Sequence, residues 1–94
     1  MADNVAHLRE LVASYEFDRE IEQSRLDRMR SQWAMLELAR EDLIEHADAE
    51  GAQHLHQEIY DLNAKIGAAV QTLAHVDQLL NTFRQRLYNA PIRP

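Results

Sequence analysis

Apolar residues recur in steps of four and three along the second half of the chain: Leu55, Ile59, Leu62, Ile66, Ala69, Leu73, Val76, Leu80, Phe83 and Leu87. Seven residues per two helical turns place all ten on one side of a long helix, the kind of seam that lies against a second helix. Gly67 is the only poor helix former within the run, and no proline interrupts it. The pattern predicts a helix over residues 52–89, followed by a short extended tail over 90–94 that begins at Ala90-Pro91.

The first half carries the same period less regularly. Val5, Leu8, Val12 and Tyr15 form one stripe, with Leu11 beside it and Asp3 or Asn4 available as an N-terminal cap. The phase then changes. Phe17 and Ile21 fall on another face, and Arg19 and Glu22 occupy the places where the seam would continue. Asp18, with Glu20 after it, is suited to start a new helix. The expectation is a short N-terminal helix over 3–16, a break near Tyr15–Asp18, and a first long helix over 18–47. The seam returns in that helix as Leu26, Met29, Trp33, Leu36, Arg40, Leu43 and Ala47.

Between the long helices lies Asp48-Ala49-Glu50-Gly51, and glycine readily takes the left-handed conformation that ends helices. A turn over 48–51 makes the chain an all-α antiparallel helical hairpin, a single domain over 1–94. Centred on Gly51, the hairpin pairs positions whose numbers sum to about 102. That register sets Trp33 against Ala69, with Gly67 and Ala68 close by, a large side chain on a small patch. It also sets Leu36 on Ile66, Leu43 on Ile59, Met29 on Leu73 and Leu26 on Val76.

The same register leaves a shortage. Leu80 would face Glu22 and Phe83 would face Arg19, so the far end of the second helix lacks apolar cover. Leu79, Phe83 and their neighbours then need either a folded-back N-terminal segment or another subunit. A second stripe on the first helix, Phe17, Ile21, Met35 and Leu38, would lie in water on an isolated hairpin. A two-helix unit of this size seldom folds securely alone. Self-association into a dimer or larger helical bundle is therefore expected through Phe17, Ile21, Met35, Leu38, Leu79 and Phe83.

Composition narrows the function classes. The chain has 94 residues, no cysteine and a net charge of −6. A disulfide staple and a thiolate metal site are excluded. The acidic balance argues against general nucleic-acid binding, whose affinity comes mainly from neutralising phosphates. No apolar run approaches the roughly 20 residues that span a bilayer, so no membrane partner is expected. The first residues also lack the order of a secretory signal, and a cytoplasmic location is expected.

The charge is segregated. Glu37, Glu41, Asp42, Glu45, Asp48, Glu50, Glu58 and Asp61 surround the turn, while Arg9, Arg19, Arg25, Arg28, Arg30, Arg84, Arg86 and Arg93 lie toward the other end. Exposed pairs at helical spacing account for much of this pattern and contribute little energy each. Arg40, at a seam position, is expected to lay its stem over Leu62 and send its head to Glu37, Glu41 or Asp61. The alternative is a polar seam position that sets register or partner.

No catalytic, cofactor-binding or metal-ligating set emerges. Ser14, Ser24 and Ser31 have no histidine at helical spacing, and there is no glycine-rich phosphate loop. His46, His54 and His56 gather near the turn, but His54 and His56 are two apart and point to different faces of one helix. His7 and His75 are isolated. Three function classes follow. The first is a self-associating adaptor or inhibitor that binds another protein, with the acidic tip (Glu41, Asp42, Glu45, Asp48 and Glu50) as its contact. The second is a small-ligand binder holding a nucleotide-like anion with Arg25, Arg28, Arg84 and Arg86 beside Tyr15 and Tyr88. The third is a structural subunit of a larger assembly.

Overall fold

The computed structural model describes residues 4–90. It holds two helices, α1 (Val5–Glu45, 41 residues) and α2 (Ala49–Tyr88, 40 residues), joined by His46, Ala47 and Asp48. The fold is an all-α helical hairpin. Asp3 and the tail from Pro91 on lie outside the described residues.

Asn4 caps α1: its side-chain oxygen accepts from the Ala6 N–H at 2.9 Å, filling one of the donors a helix start leaves unpaired. The helix then runs through Tyr15–Asp18 without interruption, where the change of phase predicts a break. No glycine or proline stands there to end it, and the polar seam residues find partners instead. Arg19 is half-buried and its Nε donates to Asp77 on α2. A polar pair at the edge of the seam thus replaces the kink.

The turn also differs from expectation, and its chemistry explains why. Leu43, Ile44 and Glu45 close α1, and Ala47 sits in the left-handed region with φ 58°. The Ala47 N–H donates to the Ile44 carbonyl at 3.0 Å, and the Asp48 N–H reaches back to the Leu43 carbonyl at 2.8 Å. Those two bonds are the Schellman arrangement, with alanine where glycine is usual. Asp48 then starts α2 by accepting from the Gly51 N–H at 2.8 Å. Gly51 is therefore in the first turn of α2 and does not form the turn between helices. No described glycine has a positive φ.

Ala47 carries a Cβ in a conformation that costs an L-residue about 1–2 kcal/mol. Ala47→Gly should therefore raise stability by about 1 kcal/mol, read as a higher urea midpoint at unchanged slope. A fall in the midpoint would show that the left-handed residue at this turn is not strained.

Moving the turn from Gly51 to Ala47 slides one helix past the other by roughly two turns, about one heptad. The consequences show in each of the two compact units into which the chain divides. In the unit made by the chain ends, residues up to Gln23 and from Gln71 on, Leu8, Val12, Leu73, Val76 and Leu80 are buried. Val12, Val76 and Leu80 form a cluster against which Tyr15 and Phe83 pack. The rings of Tyr15 and Phe83 stack at 5.7 Å between centroids, 6° from parallel. Leu80 and Phe83 thus meet Val12 and Tyr15 of the same chain, not Glu22 and Arg19, and the expected shortage of apolar cover disappears. A folded-back N-terminal segment is not needed.

In the other unit, Ser24–Val70, the buried residues are Leu26, Met29, Ala52, Ile59, Leu62 and Ala69. Met29 and Leu36 from α1 share one groove with Leu62, Glu58 and Asp61 from α2. Trp33 is only half-buried, and its enclosed indole N–H has no hydrogen-bond partner. Gly67 is exposed, and a Cβ built on it meets nothing within 4 Å, so no indole rests over it. The large-on-small contact that the Gly51 turn implied is not how Gly67 is used.

Candidate functional site

The turn and the helix ends beside it gather five carboxylates within ten residues, with no Lys or Arg among them. Glu41, Asp42, Glu45, Asp48 and Glu50 are all exposed. They project here because α1 ends at Glu45 and Asp48 restarts the chain as the cap of α2. Two of the five are partly engaged. Asp48 holds the Gly51 N–H, and Asp42 lies 3.5 Å from His46 Nδ1, a contact that becomes an ion pair only when the imidazole is protonated. Glu41, Glu45 and Glu50 make no side-chain hydrogen bond or ion pair among the described residues. Three solvated carboxylates with no internal partner leave their full charge directed outward.

The arginine next to this stretch turns away from them. Arg40 donates to Glu37 Oε2 at 3.1 Å, and its Nη1 lies 3.2 Å from His56 Nδ1. It faces His56 because of the shifted turn, where the Gly51 register would lay it over Leu62. Its Nε is enclosed and unpartnered. The other histidines are occupied locally: His46 Nδ1 contacts the Asp42 carbonyl at 2.8 Å, and His54 Nε2 lies 3.3 Å from Glu58. Among the described residues, no three His, Cys, Asp or Glu side chains gather into a possible cation site.

The candidate anion site is divided. Arg25 and Arg28 belong to Ser24–Val70, whereas Tyr15, Arg84, Arg86 and Tyr88 belong to the unit of the chain ends. In that unit Arg84 lies 3.7 Å from Glu16, and the Arg86 guanidinium sits over the Phe83 ring at 5.5 Å. One face of Tyr15 is taken by Phe83. Tyr88 stands in solvent, 89% exposed, at the last residue of α2. The cleft nearest these arginines is lined by Glu16, Arg19, Glu20, Asp77 and Arg84, so carboxylates outnumber guanidinium groups there. Sequence spacing does not reveal the Arg84–Glu16 and Tyr15–Phe83 contacts, because their partners come from the other helix, whereas Arg86 and Phe83 stand three residues apart on α2.

The expected self-association residues fall into two groups. Leu79 and Phe83 are half-buried within the chain, and Phe83 is covered by Tyr15 and the Val12 cluster. Phe17 and Ile21 in one unit, and Met35 and Leu38 in the other, are exposed, with Met35 at 70% and Leu38 at 67%. Among the described residues no helix is long and apolar enough to cross a membrane. Comparison with protein-family models, with curated proteins and with solved structures finds no match to this chain.

Proposed function

We propose that this chain is a small self-associating helical protein that acts by binding another protein, an adaptor or inhibitor whose contact is the acidic tip. The observation that carries the reading is the set of unengaged carboxylates, Glu41, Glu45 and Glu50, around a rigid, capped turn. A fixed cluster of like charge raises the rate of encounter with a basic surface and rejects acidic ones. The anion-binding alternative has less support, because Arg84 and Arg86 are already paired with Glu16 and Phe83.

The test compares two charge-reversed forms of the chain immobilised and exposed to a cell extract. Glu41→Lys with Glu45→Lys should lose the basic proteins that the unaltered chain retains, while the melting temperature moves little. Arg84→Glu with Arg86→Glu should retain them. Association rates with a captured protein should fall with rising salt for the unaltered chain and depend on salt far less for the tip variant. Retention by the tip variant and loss by the arginine variant would transfer the function to the other end. Indifference to both would leave the role of a structural subunit.

A further inference from the structure

We propose that two copies of this chain pair through the outer face of α1 within Ser24–Val70, antiparallel about Met35, with Arg28 of each copy against Asp42 of the other. The pairing rests on the self-association in the reading above and supplies its geometry; it does not depend on the tip's role.

At 100° per residue, Arg28, Ser31, Met35, Ala39 and Asp42 lie within about 40° of one line along the helix. All five are exposed. The first four line a shallow hollow on α1 whose surface is almost wholly apolar, and Leu38 borders the line at 67% exposure. A single exposed leucine is ordinary, whereas a continuous apolar strip flanked by charge marks a contact surface.

The order of residues along this line identifies the occupant. Met35 is the centre. Small residues, Ser31 and Ala39, stand four positions to either side, and opposite charges, Arg28 and Asp42, stand seven positions to either side. An antiparallel copy therefore lays small on small at two places, which lets the helix axes approach, and the two methionines meet at the twofold axis. Methionine fits such a contact because its unbranched thioether adapts to irregular gaps. The same operation sets Arg28 on Asp42 twice. A parallel copy would set arginine on arginine and aspartate on aspartate.

Arg28 has no ion-pair partner among the described residues, and Asp42 has only the exposed His46 at 3.5 Å. Both charges are thus available to another chain. A surface complementary to itself under a twofold rotation closes at two copies and leaves no open end to extend. Glu41 and Glu45 lie 80° or more from the line and stay outside the contact.

The experiment is sedimentation equilibrium of the purified chain alone, so that no tip partner enters. The unaltered chain should show a reversible dimer. Arg28→Glu alone, or Asp42→Lys alone, replaces two attractions with two repulsions and should weaken dimerisation about tenfold. Combining Arg28→Glu with Asp42→Lys restores opposite charges in exchanged positions and should return the dissociation constant to within about threefold of the original. Both positions are exposed, so circular dichroism should show unchanged helix content in all three variants. A monomer at every concentration would overturn the pairing. So would a dimer indifferent to the single reversals, or a combined variant as weak as either single one. Capture of a basic protein by the tip is read separately and survives each of these outcomes.

Discussion

Replacing Leu80 by alanine should cost about 2–5 kcal/mol and bring the chain close to unfolding at room temperature. Leu80 is 1% exposed and lies in the cluster with Val12 and Val76, with Tyr15 and Phe83 packed around it. Truncation removes three carbons' worth of buried apolar contact and leaves a cavity, and helices held by few layers have little else with which to fill it. Total stabilities of small domains are about 5–15 kcal/mol, so one leucine here is a large share. The measurement is urea unfolding followed by circular dichroism. Tyr88→Ala, at a position in solvent, serves as the reference and should move the midpoint little. A loss below about 1 kcal/mol for Leu80→Ala would mean that the end of α2 is not packed on α1.

Arg40→Leu should act in the opposite direction, raising stability by about 1–2 kcal/mol. The arginine occupies a seam position and leaves its Nε enclosed without a partner, a desolvated donor of a charged group. Its bonds to Glu37 and its contact with His56 lie at the half-exposed margin, where such interactions are worth less than 1 kcal/mol each. Removing the unpaired donor therefore outweighs the lost pairs. The gain has a drawback in specificity. In the register with the turn at Gly51, position 40 would face Leu62, where arginine is unwelcome and leucine is at home. A tryptophan-fluorescence melt should show a higher midpoint for Arg40→Leu but a broader transition, as the slipped pairing becomes accessible. A lower midpoint would show that the Glu37 and His56 contacts carry more than the enclosed Nε costs.

That slipped pairing also explains what was and was not legible in the residues alone. The ten seam positions of α2 stand out from the four-three spacing, and every one of them is buried or half-buried. Heptad periodicity is blind, however, to a slide of one heptad, because seam residues still meet seam residues. The decision passes to the turn, and there the strongest local signal, glycine, pointed to Gly51. The actual turn uses Ala47, a residue with no turn preference, and is recognisable only through Asp48 as a cap three residues before Gly51. The continuity of α1 past Tyr15 was hidden for a similar reason. Arg19 in the seam reads as a break until Asp77 is found opposite it. For the candidate site, the exposed carboxylates followed from composition near a turn. The engagement of Arg84 by Glu16 did not, since it depends on which turns of the two helices lie side by side; that of Arg86 by Phe83 sits at i,i+3 spacing within α2.

The tightness of the capped turn has a consequence for the order in which the hairpin assembles. Arg40 and His56 are 16 positions apart in the chain, while Arg19 and Asp77 are 58 apart. Closing the longer loop first would cost about 1 kcal/mol more entropy, so contacts form outward from Ala47, each layer shortening the search for the next. The chain ends then join after the rate-limiting step. Under that order Leu80→Ala accelerates unfolding and leaves the folding rate nearly unchanged, whereas Ala47→Gly accelerates folding. Chevron kinetics of the two variants read the difference, and a Leu80→Ala effect confined to the folding limb would place the first contacts at the chain ends instead.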